Sequence, residues 1–311
     1  MIARPAVQTG GLAPVPDLRI GIDLGGTKIA GIALDRDGKT RASHRRAATQ
    51  GSVEGTIAGI ADVLAGLERD AGSAGSVGIG MPGSIARSGL VQGSNSIWLN
   101  GVPFQPLLEA ALGRPVRLAN DANCFALSEA IDGAGRGARS VFGVIIGTGC
   151  GGGLVINGQI VEGLNGIAGE WGHNPLPWAL PEETGTVCYC GRPGCIETWV
   201  SGPALSADHL RVTGVSQTAE QIASDAVTGD RAASATLARH SSRLARGLAS
   251  VVNVFDPEVI VLGGGLSKLA HLYTDVPALM LPHVFAETPV IVVRPPQWGD
   301  AGGVRGAAWL W

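Results

Sequence analysis

The sequence predicts an α/β protein with two lobes, and three observations lead to this prediction. Short apolar strands alternate with segments that have helical spacing of apolar residues. A unit made of a strand, a Gly/Thr-rich loop and a second strand occurs twice, at 20–34 and again from residue 141. The chain has 311 residues, of which 45% are hydrophobic and 16% charged. That length and composition are enough for two lobes with sizeable cores.

The first unit contains a loop that is suited to binding phosphate. Two apolar strands flank Gly25-Gly26-Thr27-Lys28, and Asp23 ends the first strand. Glycines let the backbone approach a phosphate, and Thr27 and Lys28 are able to donate hydrogen bonds to it. The loop is neither a Walker motif nor a dinucleotide fingerprint, because the spacing differs and a strand rather than a helix follows. Taken on its own, this stretch favours an ordinary Gly-Gly hairpin.

A carboxylate follows a strand in the middle of the chain. Apolar residues at near-helical spacing predict a helix over 53–67, and a strand at 116–119 leads into Asn120-Asp121-Ala122-Asn123 and a second helix. Asp121 therefore lies at a strand end and at a helix N-terminus. One interpretation is a helix N-cap. The other is a catalytic base, because α/β proteins place such groups at the carboxyl ends of strands.

The second unit repeats the first. A buried strand from Val141 runs into Gly147-Thr148-Gly149 and a further strand. Two such hairpins in the two halves of one chain predict a duplicated fold that holds a phosphate chain from both sides. A third glycine loop follows the strand at 259–262 and opens a helix near Ser267, which suits the sugar and base of a nucleotide.

The densest chemistry lies between Gly169 and Thr198. One histidine and three cysteines have the composition of a closed structural zinc site, and a disulfide with one spare thiol is the alternative. Two carboxylates, Glu170 and Glu197, flank these ligands, so a metal would hold two acceptors in place for a polyhydroxylated molecule. The proposed ligands are His173, Cys188, Cys190 and Cys195.

Composition narrows the function classes. The net charge of −3 argues against nucleic acid as a partner. No apolar run approaches the length needed to cross a bilayer, and residues 1–18 read as a flexible tail without a signal peptide. Cysteines at metal-binding spacing indicate a reducing, cytoplasmic setting. We therefore expect a protein that acts on a small molecule and contacts neither nucleic acid nor membrane.

These motifs, in this order, resemble the ROK family of sugar kinases and regulators. The resemblance covers 19–311 and implies an actin/hexokinase-like ATPase fold with a cleft between two lobes. Within the family, the runs at 95–101 and 170–178 and the C-terminal run look most like bacterial fructokinases of the manno(fructo)kinase type. ROK repressors add an N-terminal helix-turn-helix, and the 18 residues before the first strand are too few for one.

The resemblance also implies roles for particular residues. Asp121 is the expected general base. The expected cofactors are ATP, Mg²⁺ and a structural Zn²⁺. Sugar-binding residues are expected to be Asn100, Asn120, Asp121, Glu170, His173 and Glu197. Nucleotide-binding residues are expected to be Asp23, Gly25, Gly26, Thr27, Lys28, Gly147, Thr148, Gly149, Gly151, Gly264 and Gly265.

The expected activity is ATP-dependent phosphorylation of a hexose at its 6-hydroxyl, with D-fructose as the first candidate. Glucose, mannose and N-acetylglucosamine are alternatives within the family. A sugar-sensing regulator and an actin-like ATPase are alternatives from other classes. We expect a small lobe at 19–119 plus about 295–311, and a large lobe at 120–294 with a zinc-binding loop at 173–195. We also expect a homodimer.

Overall fold

Two five-stranded sheets form the framework of the protein. The computed structural model describes residues 17–311. The predicted tail at 1–18 therefore lies outside the described residues up to residue 16, and the first strand already begins at Leu18. The strands of the first sheet are β1 (Leu18–Leu24), β2 (Lys28–Asp35), β3 (Thr40–Ala47), β4 (Ser76–Met81) and β7 (Val116–Asn120). Between β4 and β7, a small hairpin consists of β5 (Ser84–Ile85) and β6 (Val91–Gln92).

The second sheet repeats the plan of the first. Its order is β10-β9-β8-β11-β12, and the first sheet has the order β3-β2-β1-β4-β7. In each sheet three consecutive strands pair antiparallel, and two later strands then add in parallel. The predicted duplication is therefore present. Its strands are β8 (Ser140–Ile146), β9 (Cys150–Ile156), β10 (Gln159–Ile160), β11 (Val259–Gly263) and β12 (Val293–Arg294).

Helices cover both sheets. The helix predicted at 53–67 extends to Ala71, because the αL residue Gly72 ends it. The helical segment after residue 217 divides at Gly229-Asp230, and the Asp230 side chain caps the longer second part. The helices are α1 (Val53–Ala71), α2 (Phe104–Leu112), α3 (Asp121–Ile131), α4 (Glu197–Val200), α5 (Gly202–Thr213), α6 (Ala219–Val227), α7 (Arg231–Phe255), α8 (Leu272–Met280) and α9 (Gly302–Ala308).

Each sheet has its own apolar core. Side chains of β1 and β4 pack with α1 and α2. Strand β8 alternates between two cores: Val144 faces α7 and α8, and Val141 faces α3. This alternation follows from the two-residue period of a strand, and it requires helices on both faces of the second sheet.

The C-terminal helix α9 joins the two halves. It packs against β1 and β4 of the first sheet and against α3. A Cβ added at Gly78 would lie 1.9 Å from the carbonyl oxygen of Ala307, so only glycine permits this approach. The Arg305 guanidinium forms an ion pair with Asp132 at the end of α3. We propose the lobe boundary at 119/120, with 295–311 assigned to the small lobe.

No helix within 17–311 combines the length and apolarity that a membrane crossing requires.

Candidate active site and metal centre

Asp121 lies where strand β7 of the first sheet ends and helix α3 begins. The helix cap is Asn120, whose Oδ1 accepts hydrogen bonds from the backbone N–H groups of Ala122 at 2.9 Å and Asn123 at 3.3 Å. Asp121 is the first residue of the helix, and its Oδ1 also accepts from the Ala122 N–H, at 2.8 Å. Capping is therefore carried out by the neighbouring amide, and the Asp121 carboxylate is not needed for it.

The electrostatic surroundings of Asp121 favour a proton acceptor near neutral pH. Burial, followed by the negative charge of Asp23, raises the pKa of Asp121 from 3.8 to about 6. Glu170 adds a further negative charge, and the Ala122 N–H partly offsets these effects. A base with a pKa of about 6 is ionised at neutral pH and accepts a proton more readily than an ordinary aspartate.

Three more predicted carboxylates surround the same cleft. Asp23 ends β1, and burial raises its pKa while nearby Lys28 lowers it. Glu197 begins α4, and its Oε2 accepts a hydrogen bond from the Cys150 N–H at 2.9 Å. Burial raises the pKa of Glu170, His173 lowers it, and the negative charge of Glu197 raises it further. The structure therefore links the end of the first hairpin, Asp121 and the second glycine loop through neighbouring carboxylates.

The predicted metal ligands converge. Ligand atoms of His173, Cys188, Cys190 and Cys195 all lie within 4.8 Å of one another. The Cys190 and Cys195 sulfurs are 3.6 Å apart, and Cys188 Sγ is 3.6 Å from His173 Nδ1. A tetrahedron with metal–sulfur bonds of about 2.3 Å and a metal–nitrogen bond of about 2.0 Å has edges of roughly 3.5–3.8 Å. The four side chains therefore fit zinc, and all five cysteines of the chain are free of disulfides.

The second and third glycine loops meet at one cavity. Gly147 lies beside Gly265, because a Cβ at Gly147 would be 3.8 Å from the Gly265 nitrogen. Gly264 has φ of +79°, and a Cβ there would lie 2.4 Å from the Ile146 carbonyl oxygen, so the turn requires glycine. The adjoining cavity of about 600 Å³ is lined by these loops, by the N-terminal residues of α5 and by the segment 216–221. Its size suits a nucleoside.

The remaining predicted nucleotide contacts lie at the two hairpin loops. In the first loop, Gly25 N–H donates to the Lys28 carbonyl at 3.0 Å, and Gly26, Thr27 and Lys28 are exposed at the surface. In the second, Thr148 is exposed, and the Gly151 carbonyl accepts from the Trp171 indole N–H at 3.0 Å. The exposed residues of the two loops, Gly26 to Lys28 and Thr148, are therefore the parts that are open to a ligand.

Two predicted sugar ligands are engaged within the protein. The Asn100 side chain accepts from Ser94 N–H at 2.9 Å and donates to the Ser94 carbonyl at 2.8 Å, which fixes its own loop. The Asn120 Nδ2 donates to the Gly83 carbonyl at 3.1 Å in addition to capping α3. A sugar contact by either residue stays a prediction.

Two further residues lie at the metal loop and were missed from the sequence. Tyr189, between two of the cysteines, places its hydroxyl 3.0 Å from His173 Nε2. Glu183 is buried and binds the guanidinium groups of Arg243 and Arg246 on α7, with contacts of 2.7–2.8 Å. The position of Tyr189 between two predicted metal ligands, Cys188 and Cys190, was a sequence signal that it lies near the metal loop. No local pattern indicates that Glu183 points inward.

The fold and the site define a class of protein. Two duplicated sheets, a cleft between them and glycine loops around that cleft belong to actin-like ATPase folds of the hexokinase type. A model of the ROK family matches residues 19–311. The chain belongs to the ROK family.

Individual relatives agree with this assignment. An N-acetyl-D-glucosamine kinase of Photobacterium profundum is 39% identical over 296 residues, which cover 93% of this chain and 98% of that protein. The crystal structure of a ROK hexokinase from Thermus thermophilus matches with a TM-score of 0.83 and 31% identity, covering 94% of this chain and 97% of that one. A ROK family glucokinase from Streptomyces griseus, in complex with glucose and AMPPNP, matches with a TM-score of 0.77 and 30% identity over 94% and 98%.

Proposed function

We propose that the protein is an ATP-dependent kinase that phosphorylates the 6-hydroxyl of N-acetyl-D-glucosamine. The observation that carries the kinase assignment is the Asp121 carboxylate, with its pKa raised to about 6 in a cleft that also contains two glycine loops. The choice of sugar rests on the N-acetyl-D-glucosamine kinases that are 36–39% identical over 93% of the chain. The sequence motifs favour fructose, which we retain as the competing substrate.

In the proposed reaction, Asp121 accepts the proton of the sugar hydroxyl while the hydroxyl oxygen attacks the γ-phosphorus of ATP, and ADP leaves. Phosphoryl transfer depends mainly on positioning and charge stabilisation, so a single base is sufficient. We assign the glycine loops to the phosphates and the cavity of about 600 Å³ to the nucleoside. Burial in a closed cleft keeps water from the phosphate chain.

Two metal ions are part of the proposal. Mg²⁺ prefers oxygen ligands, and the Asp23 carboxylate at the end of β1 is the suitable group in this chain; the ion supplies charge neutralisation at the phosphates. Zinc fits His173, Cys188, Cys190 and Cys195 by the distances above. It supplies no chemistry to the transfer, and the loop that it organises holds Glu170 and Glu197 towards the sugar.

A coupled ADP-release assay tests the proposal. The sugars are N-acetylglucosamine, fructose, glucose and mannose, each at saturating ATP with Mg²⁺. We expect the highest kcat/KM with N-acetylglucosamine. A higher value with fructose would move the assignment to a fructokinase. Sugar binding without turnover of any of the four would support the regulator instead.

A further inference from the structure

The side chain of Tyr189 lies at the mouth of the proposed sugar site. Its hydroxyl is 3.0 Å from His173 Nε2, and the two rings are nearly perpendicular, with centroids 5.2 Å apart. The residue is 81% exposed, so the ring is open to solvent while the hydroxyl end is turned towards the histidine. The hydroxyl end of Tyr189 therefore faces the proposed sugar site through its contact with His173.

The direction of the hydrogen bond follows from the metal ligand set. His173 Nδ1 faces Cys188 Sγ at 3.6 Å, so Nδ1 is the nitrogen on the metal side. A metal-bound ring nitrogen carries no proton, and the other nitrogen then carries one and donates it. With zinc bound at Nδ1, His173 Nε2–H would donate to the Tyr189 oxygen. The phenol hydrogen remains free to donate to another acceptor.

The other polar groups of the site are mainly acceptors. Asp121, Glu170 and Glu197 carry carboxylates, which accept hydrogen bonds from sugar hydroxyls. The side-chain amides of Asn100 and Asn120 already donate to the backbone carbonyls of Ser94 and Gly83. The acetamido group of N-acetylglucosamine differs from a hydroxyl because its carbonyl oxygen only accepts. Recognition of that carbonyl requires a hydrogen-bond donor, and the Tyr189 hydroxyl is a donor at this site.

We propose that Tyr189 is a specificity-determining residue that donates a hydrogen bond to the acetamido carbonyl of the sugar. The exposed ring offers the acetamido methyl an apolar surface beside that bond. This inference rests on the proposed function, because it assigns one part of the same substrate to one residue.

The test is the Tyr189→Phe variant, which keeps the ring and removes the hydroxyl. We expect KM for N-acetylglucosamine to rise about 5- to 10-fold with kcat unchanged, the loss typical of one neutral hydrogen bond. KM for glucose and for glucosamine, which lack the carbonyl, is expected to change by less than about 2-fold, since the lost donor has no partner in them. Zinc content and melting temperature are measured on the same preparation and are expected to match the wild type.

Tyr273→Phe is the matched control. It removes the hydroxyl of the other tyrosine, which donates to the Ser267 carbonyl beside the third glycine loop. Its ratio of kcat/KM between N-acetylglucosamine and glucose is expected to equal that of the wild type.

Three results would overturn the inference. One is an unchanged KM for every sugar in Tyr189→Phe, and another is an equal rise for N-acetylglucosamine and glucose. Loss of zinc or a lower melting temperature would assign the hydroxyl to holding His173 in place. Failure of the proposed function is a separate outcome, seen in the wild type itself as absence of turnover with N-acetylglucosamine.

Discussion

Replacing Asp121 by asparagine separates catalysis from stability, because the two properties are expected to change in opposite directions. The pKa of Asp121 has an ordinary value of 3.8 and rises to about 6 in the folded protein, through burial and then the charge of Asp23. Between these two pKa values the folded chain binds more protons than the unfolded chain. The stability contributed by this group is therefore present below about pH 4 and is lost as the pH rises through about 6.

The size of the effect follows from the shift. About two pKa units correspond to about 3 kcal/mol of folding free energy lost when Asp121 ionises. Asparagine is neutral at every pH, and Asn120 continues to cap α3. We expect the variant to be more stable than the wild type by up to about 3 kcal/mol at pH 8, and by about half of that at pH 5, where the carboxyl is mostly protonated in the folded chain but mostly ionised in the unfolded chain.

Activity is expected to fall in the same variant. A general base contributes about 10²-fold or more to turnover, so kcat is expected to drop by at least that factor while sugar affinity is kept. In the wild type, kcat/KM is expected to decline below about pH 6, because the base must be ionised. That decline should be absent from the residual activity of the variant.

The test of both expectations measures three properties of the variant: its melting temperature at pH 5 and pH 8, its sugar binding by calorimetry, and its kcat. Turnover above about a tenth of the wild-type rate would refute the base assignment, since it falls well short of the loss expected for a base. A variant that is less stable than the wild type at pH 8 would refute the electrostatic account of the pKa.

Three other substitutions test the metal loop and its support. Cys190→Ser is expected to lower zinc from about one per chain and to raise KM for the sugar; metal analysis that finds full zinc retention would count against the ligand set. Gly149→Ala places a Cβ 2.8 Å from Glu197 Oε2, and we expect kcat/KM to fall at least about 10-fold without loss of zinc, since small displacements of positioning groups are costly. Glu183→Gln removes the buried counter-charge of Arg246 and one of the two carboxylates that pair with Arg243, the other being Asp208, and a loss of about 3 kcal/mol is expected in denaturant unfolding. Exposed Glu182→Gln is its control and is expected to change stability by less than about 0.5 kcal/mol; equal losses in the two would contradict the ion-pair explanation.

Sequence reasoning recovered the hairpins because their signals are local. The strands around Gly25-Gly26 and around Gly147-Thr148 are short runs of mostly apolar residues, and glycine marks each turn. The same reasoning missed β3 at Thr40–Ala47, whose burial pattern is mostly exposed. The apolar run at 290–294 also has the pattern of a strand, and only Val293–Arg294 of it forms one. Both strands lie at a sheet edge, where strands are often short or carry charged side chains, so their local sequence signal is unreliable.

For the site, the sequence by itself determined the residue types and their short-range spacing. These predict the metal ligand set around Cys188 and Cys190 and the carboxylate after strand β7, since such features depend on neighbours along the chain. Tertiary structure alone decided which side chains meet. In the folded chain the Asn100 side chain bonds to its own loop, and Asn120 rather than Asp121 caps α3. Glu183 is buried against α7. The physical reason is that these contacts depend on the packing of separate elements, and local periodicity carries no record of that packing.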